Sequence, residues 1–387
     1  MKKKTIAIIA TAPVAVKIHL ETLIEYLKKD YSVVVMTNLS NKEDEFIQYL
    51  PSDVRLVDTK MERGISLFKD LRTLAILILN LRKEKINISF SITPKAGLLA
   101  GLASFVLGIP SRVHVFTGQV WITKKGFLRY FLMFLDRLIY ICCTKVLVDS
   151  NSQRDFLIES KVLKTKKSLV LGSGSFCGVN TDRFCPNIES RKLIRSKHRV
   201  SLDAVIFLYV GRLTKDKGIF ELLEAFSELK KDKKDLSLWL LGPSEEDIHT
   251  IEEVIKFPYR DSIMVLPYTP NPELYMAAAD IFCLPSYREG FGTVVIESAA
   301  CGIPSIGTRI YGLTDAIKEG ITGLLIDVND VSGLRNAMKK LLDNKILRDE
   351  MGKSSRIRAI EEFNQDKVIK RLINFLDDEF KKTQYTP

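Results

Sequence analysis

Thirteen short apolar runs, most of them separated by longer amphipathic stretches, constrain this chain more than any other feature. The first series is Thr5–Ala10, Ser32–Thr37, Val54–Val57, Ile88–Ile92, Arg112–Phe116, Lys145–Val148 and Ser168–Leu171, interleaved with helix-like stretches such as Lys17–Lys29, Ile65–Lys83, Lys95–Leu107 and Ser152–Ser160. The pattern then restarts with Ala204–Val210, Leu236–Leu241, Ile263–Leu266, Ile281–Leu284, Pro304–Ile306 and Gly323–Ile326. Near-continuous apolar strands alternating with helices imply parallel sheets covered on both faces. Seen twice, the pattern predicts an α/β chain of two doubly wound domains. A Gly- and Pro-punctuated stretch, Gly172–Ser175 and Gly178–Pro186, suits a linker. The expected domains are residues 1–185 and 186–365, with a last helix at about 366–387 able to pack back onto the first. Ligands of such sheets bind outside the carboxyl ends of the strands, which makes a cleft between two facing domains the expected site.

Length supports two domains: 387 residues exceed what one core usually serves. Six cysteines are sparse, Cys142 and Cys143 are adjacent, and no Cys-x-x-Cys exists, so reduced thiols in a cytoplasmic protein are expected. His19, His114, His198 and His249 are far apart in sequence, which argues against structural zinc. The apolar run Ile6–Ala10 after Lys2, Lys3 and Lys4 is short and soon interrupted, so it reads as a buried first strand rather than a secretory signal. The net charge of +11 is unevenly divided: residues 1–185 carry 28 Lys and Arg against 16 Asp and Glu, while the remainder is nearly neutral. A basic half suits an anionic lipid surface or a nucleic acid, or is a solvated face.

The strongest motif is Pro285-Ser286-Tyr287-Arg288-Glu289-Gly290-Phe291-Gly292-Thr293, running on to Glu297. It follows an apolar strand and enters a helix, so Gly290 and Gly292 allow a phosphate to approach helix-end amides. Glu297 is then placed to accept both hydrogen bonds of a ribose diol, and Glu289 stands near whatever the phosphate carries. A plain strand–helix turn would also use such glycines, but two glutamates eight positions apart weaken that reading. The second motif, Gly211-Arg212-Leu213-Thr214-Lys215-Asp216-Lys217-Gly218, ends another strand. Arg212 can fork onto two phosphate oxygens, and Lys217 adds a mobile charge. The chain has no Asp-x-Asp pair, no Walker loop and no full Gly-x-Gly-x-x-Gly after its first strand. Phosphate charge would therefore be met by Arg212, Lys217 and amides.

These segments, with Cys301-Gly302-Ile303-Pro304 and Glu319-Gly320-Ile321-Thr322-Gly323, resemble the family 4 retaining glycosyltransferases of GT-B fold, most specifically over residues 204–330. The resemblance implies two Rossmann-like domains facing each other across a cleft, the first holding the acceptor and the second a nucleotide sugar. It implies donor contacts from Gly211, Arg212, Lys217, Leu266, Tyr268, Glu289, Gly290, Phe291, Gly292, Thr293 and Glu297, with no cofactor or metal. Acceptor contacts are expected from Thr11, His19, Lys95, His114, Thr117 and Gln119. Glu289, Arg212, Lys217 and His114 are the catalytic candidates. The first domain departs from the family pattern. Thr11-Ala12-Pro13 stands where many relatives have a Gly-Gly loop, and Thr117 stands where many have a histidine. Either His114 has taken over acceptor contacts or that role is not needed.

Thr117-Gly118-Gln119-Val120-Trp121 and Pro94-Lys95-Ala96-Gly97 resemble a subgroup extending polyprenyl-diphosphate-linked glycans of bacterial surfaces, commonly from UDP-hexoses or UDP-N-acetylhexosamines. Lys124–Lys145 mixes large apolar residues with basic ones, and reads either as a helix in a lipid interface or as a core helix. The membrane reading gives a cytoplasmic protein held peripherally at the inner face of the plasma membrane. Alternatives are a nucleotide-sugar epimerase of the same architecture and a nucleic-acid binder. Against the latter, no nucleic-acid motif accompanies the basic residues.

Overall fold

A computed structural model describes residues 4–39, 53–231, 235–243 and 257–384, so Lys2, Lys3 and His249 lie outside it. Each of the thirteen apolar runs forms a strand. In the first series these are β1 (Lys4–Ile9), β2 (Tyr31–Thr37), β3 (Arg55–Asp58), β4 (Ile88–Ile92), β5 (Ser111–Phe116), β6 (Lys145–Val148) and β7 (Ser168–Leu169). In the second they are β8 (Val205–Val210), β9 (Leu236–Leu241), β10 (Ile263–Leu266), β11 (Ile281–Leu284), β12 (Ser305–Thr308) and β13 (Gly323–Ile326). The chain divides into two units, Met1–Cys177 with Val368–Pro387, and Gly178–Lys367. The second unit begins before the expected 186, because the Val179 N–H donates to the Phe363 carbonyl at 2.8 Å and the Val179 carbonyl accepts from Gln365 N–H at 2.8 Å.

The first unit is a parallel sheet of order β3-β2-β1-β4-β5-β6-β7. Alternate residues of β1 serve opposite faces: Ile6 and Ile8 join one apolar cluster, Ala7 and Ile9 another. That two-sided burial explains why its strands read as uninterrupted apolar runs. The helix Gln365–Gln384 places Ile369, Leu372, Leu376 and Phe380 in the cluster of Ile6 and Ile8. Their spacing of three and four residues makes one helical face. The Tyr31 hydroxyl donates to Asp377 at 2.6 Å and fixes that helix in register.

The second unit has order β10-β9-β8-β11-β12-β13, again all parallel. Caps that sequence chemistry favours start three of its helices. Asn187, Asp330 and Asn344 accept from the N–H groups of Ser190, Gly333 and Leu347 at 2.9, 2.8 and 2.9 Å. In each sheet the strand order reverses beside the first strand in sequence, between β1 and β4 and between β8 and β11. At such a reversal the crossover helices leave on opposite faces and open a crevice at the carboxyl ends.

Candidate functional site

Two loops flank the reversal of the second unit, one after β8 and one after β11. The first is tied to its neighbours by Gly211 N–H donating to the Leu241 carbonyl (3.0 Å) and Leu213 N–H to that of Pro243 (2.9 Å). The Leu266 carbonyl, ending β10, accepts from Gly242 N–H at 3.0 Å. Gly242 lies so close to Gly211 that a Cβ there would come within 2.0 Å of the Gly211 carbonyl oxygen. Thus the ends of three strands are laced together, with Tyr268 just beyond and 69% exposed.

The two loops are also joined to each other. Tyr287 N–H donates to the Asp216 carbonyl at 2.9 Å, and the Arg288 guanidinium lies 3.3 Å from the Asp216 carboxylate. Lys217 Nζ sits 2.6 Å from Glu289 Oε1, which also accepts from the Ser286 hydroxyl at 2.8 Å. Gly218 makes this approach possible. It is left-handed (φ +73°), and a Cβ would stand 2.1 Å from the Pro285 carbonyl oxygen.

Charges converge on one buried hydroxyl. Tyr209 donates to the Arg212 carbonyl at 2.7 Å, and burial and then the Glu289 carboxylate push its hydroxyl far above the usual phenol range, against Arg212. Burial also works to raise Asp216, but the Thr214 hydroxyl and then Arg288, Lys217 and Arg212 outweigh it and hold the acid below its ordinary value. Gly292 (φ +76°) caps the helix Thr293–Ala300, with Phe291 buried beneath and Gly290 in the preceding turn. Glu297 follows one turn into that helix. Burial raises its carboxyl to about 7, opposed by Arg183 and assisted by Glu273, and those two pair at 2.8 Å. The sequence reading missed Asp216, Tyr209, Arg183 and Glu273 as parts of this edge. Asp216 lay in plain view inside the cationic motif, whereas Arg183 and Glu273 are 90 positions apart and carried no local signal.

The corresponding edge of the first unit is built differently. Thr11, after β1, and Thr93, after β4, share a hydrogen bond between their hydroxyls at 2.7 Å. Thr93 holds φ +71°, a conformation rare outside glycine, where it starts the helix Pro94–Val106. Lys95 is ion-paired with Asp70 at 2.5 Å. Thr11, Thr93 and Lys95 line a cavity of about 530 Å³, otherwise largely apolar, to which Arg63, Trp121 and the helix Gly126–Cys142 contribute. One face of that helix packs inward through Asp136, Ile139 and Cys142, while Phe127, Tyr130, Phe134 and Ile141 are exposed. The core reading of this segment fits its inward face; its other face is exposed. Asp136 accepts from the Trp121 indole at 2.8 Å, and burial lifts its carboxyl to about 7 against that hydrogen bond.

The remaining acceptor-side expectations fare unequally. His114 is corrected: it is 1% exposed on β5, with Nδ1 3.0 Å from the Ser91 hydroxyl. Helix Pro94–Val106 passes directly over it, and a Cβ at Gly97 would lie 2.3 Å from its ring. Burial drives its imidazole down to about 3, the Ser91 bond opposing, so it is a neutral core group. Gln119 is likewise buried and takes a hydrogen bond from Gln153 at 3.1 Å. His19 packs on Phe176 at 5.6 Å between centroids, and burial lowers it to about 4. Thr117 is half-buried one residue beyond β5.

The family described as Glycosyl transferases group 1 matches residues 190–358. The capsular polysaccharide biosynthesis glycosyltransferase CapM of Staphylococcus aureus is 29% identical over 363 residues, 93% of this chain and 94% of that protein. The UDP-Gal:alpha-D-GlcNAc-diphosphoundecaprenol alpha-1,3-galactosyltransferase of Escherichia coli is 27% identical, covering 88% and 87% of the two chains. Among solved structures, the sucrose-phosphate synthase of Thermosynechococcus elongatus superposes with a TM-score of 0.81 at 21% identity, over 98% of this chain and all of the other (100%). That likeness is one of fold, the GT-B pairing of two Rossmann-like units. The epimerase and nucleic-acid alternatives find no support in these relatives.

Proposed function

We propose that this chain, a glycosyltransferase carrying a group 1 glycosyl transferase domain, moves a hexose or N-acetylhexosamine from a UDP-sugar to a sugar hydroxyl on a polyprenyl-diphosphate-linked glycan. The observation that carries the proposal is the joined pair of loops at the second unit's strand reversal, where Arg212, Lys217, Glu289 and the amides after Gly292 share one edge. Two full-length relatives named for capsule synthesis and for a diphosphoundecaprenol acceptor support the substrate class.

In this reading Arg212 and Lys217 hold the diphosphate, Leu266 and Tyr268 meet the base, and Glu297 accepts from the ribose hydroxyls. Lys217 is already paired with Glu289, so an arriving diphosphate competes for the ammonium and turns the carboxylate toward the sugar. Transfer is of the retaining, family 4 kind. The anomeric carbon–phosphate oxygen bond breaks through an oxocarbenium-like state, and the acceptor hydroxyl bonds to the same face. Its proton passes to the departing diphosphate, whose growing charge the two cations and the helix-end amides stabilise without a metal. Thr11 and Lys95 belong to the acceptor side. The basic first half and the exposed face of Gly126–Cys142 would hold the protein peripherally on an anionic cytoplasmic leaflet.

The test is transfer from a panel of UDP-sugars to polyprenyl-diphosphate glycans, with the product's anomeric configuration read by NMR and the rate measured with and without EDTA. Retained configuration and an unchanged rate are expected. An inverted product sinks the retaining mechanism, and release of an epimerised sugar without acceptor sinks transfer itself.

A further inference from the structure

Resting on that transferase reading, we propose that the cavity of the first unit receives the hydrocarbon chain of the lipid-diphosphate acceptor, with Arg63 and Lys95 at its edge meeting the diphosphate. The cavity stands at the β1–β4 reversal, where a sheet of this topology opens to ligands, yet its chemistry is unlike that of a sugar site. Ala15, Leu98, Trp121, Leu132, Leu135 and Ile139 form its walls. A glycan seated there would lose hydrogen bonds to water and recover few, whereas a hydrocarbon loses none and removes apolar surface from solvent. Among the polar residues that line it, Asp136 has one carboxylate oxygen bound by the Trp121 indole, and its burial favours the uncharged acid.

The rim continues the same chemistry outward. The segment supplying Arg63 and Asp70 also exposes Ile65, Leu67 and Phe68, the last 85% exposed. The helix supplying Leu132 and Leu135 exposes Phe127, at 84%, and Leu128. Such a rim lets a chain pass from a bilayer into the cavity without crossing water. Arg63 and Lys95 supply the charge that a diphosphate at the head of that chain requires, Arg63 from an exposed position and Lys95 from its pair with Asp70.

The experiment compares one glycan diphosphate carried on a long polyprenyl chain with the same glycan diphosphate capped by a methyl group, both in detergent with the full chain. The wild-type protein should prefer the polyprenyl acceptor in kcat/KM by about tenfold or more. Leu135→Trp, which fills the cavity, should bring that ratio close to one, chiefly through KM for the long acceptor. Ala15→Leu, a smaller intrusion from another wall, should reduce it partially, and UDP binding reports that each variant is folded. A wild-type ratio near one overturns the inference, as does a Leu135→Trp protein that binds UDP and keeps the wild-type ratio. If Leu135→Trp abolishes sedimentation with phosphatidylglycerol vesicles but leaves the ratio intact, the cavity serves bilayer lipid and the inference also falls. Consumption of no UDP-sugar with either acceptor strikes instead at the transferase reading beneath it.

Discussion

The two units share one order of six parallel strands, to which the first adds β7, and differ mainly in what stands at the reversal point. In the second, glycines at 218 and 242 let backbones come together, and Lys217–Glu289 and Arg288–Asp216 pairs cross between loops. In the first, two threonines meet across the reversal, and behind them lies an apolar cavity. The fold sets where a ligand can sit, and a handful of side chains after the first and fourth strands set what it can be. One edge presents charged, hydrogen-bonding groups and the other a largely apolar surface.

The sharpest way to break this comparison is to remove charge from the polar edge. Arg212→Ala and Lys217→Ala should each lower turnover roughly 10²-fold or more, by analogy with loss of an oxyanion donor. The first unit's acceptor-length preference should survive in whatever activity remains. Near-wild-type turnover in both variants would remove the cations from the mechanism.

A second contrast uses the chain's two tryptophans, Trp121 in the first unit and Trp239 in the second, as separate reporters of unfolding. Gly218→Ala must put a side chain against the Pro285 carbonyl at a left-handed position, and should cost the second unit at least about 1–2 kcal/mol along with donor affinity. Gly97→Ala presses on the His114 ring and should destabilise the first unit by about 1–3 kcal/mol while UDP still binds. Melts followed through Trp239 in a Trp121→Phe background would show whether each lesion stays in its own unit.

The smallest expected effect is on pH. Glu297 has its carboxyl raised by burial to about 7 from an ordinary 4.5, so between those values the folded protein binds a proton that the unfolded chain does not. This residue therefore makes the second unit lose stability as pH rises from about 4.5 to 7, and Glu297→Gln should flatten the slope. In the first unit Asp136 and Asp149, each raised by burial to about 7, pull the same way. His19 and His114, lowered by burial to about 4 and about 3, bind protons only when unfolded and oppose them, so little net slope is expected from that unit below about pH 6.5. Thermal melts of the wild-type protein and Glu297→Gln between pH 5 and 7.5 would read the difference.

The polar edge was far more legible beforehand than the apolar one. Arg212, Lys217, Gly290, Gly292, Glu289 and Glu297 lie in two continuous segments, each directly after an apolar run, so local pattern alone placed them at strand ends. The cavity draws on positions from Thr11 to Ile139 and has no such signature. Asp136 held the one available hint, an acid on the apolar stripe of Leu132, Leu135 and Ile139, and it went unread.

By itself the sequence determined the thirteen strands, their parallel two-sided burial and the loops to which the phosphate chemistry is assigned in the proposal. These depend on the alternation of apolar and polar residues over short windows, which strand and helix geometry converts directly into buried and exposed faces. Tertiary structure alone decided that His114 and Gln119 are core groups, that the Asp216 carbonyl joins two loops, and that the first sheet's reversal opens into an apolar cavity. Each of these depends on which distant segment lies over a given position, such as Gly97 over His114. Long-range packing of that kind leaves no periodic trace in the residues it brings together.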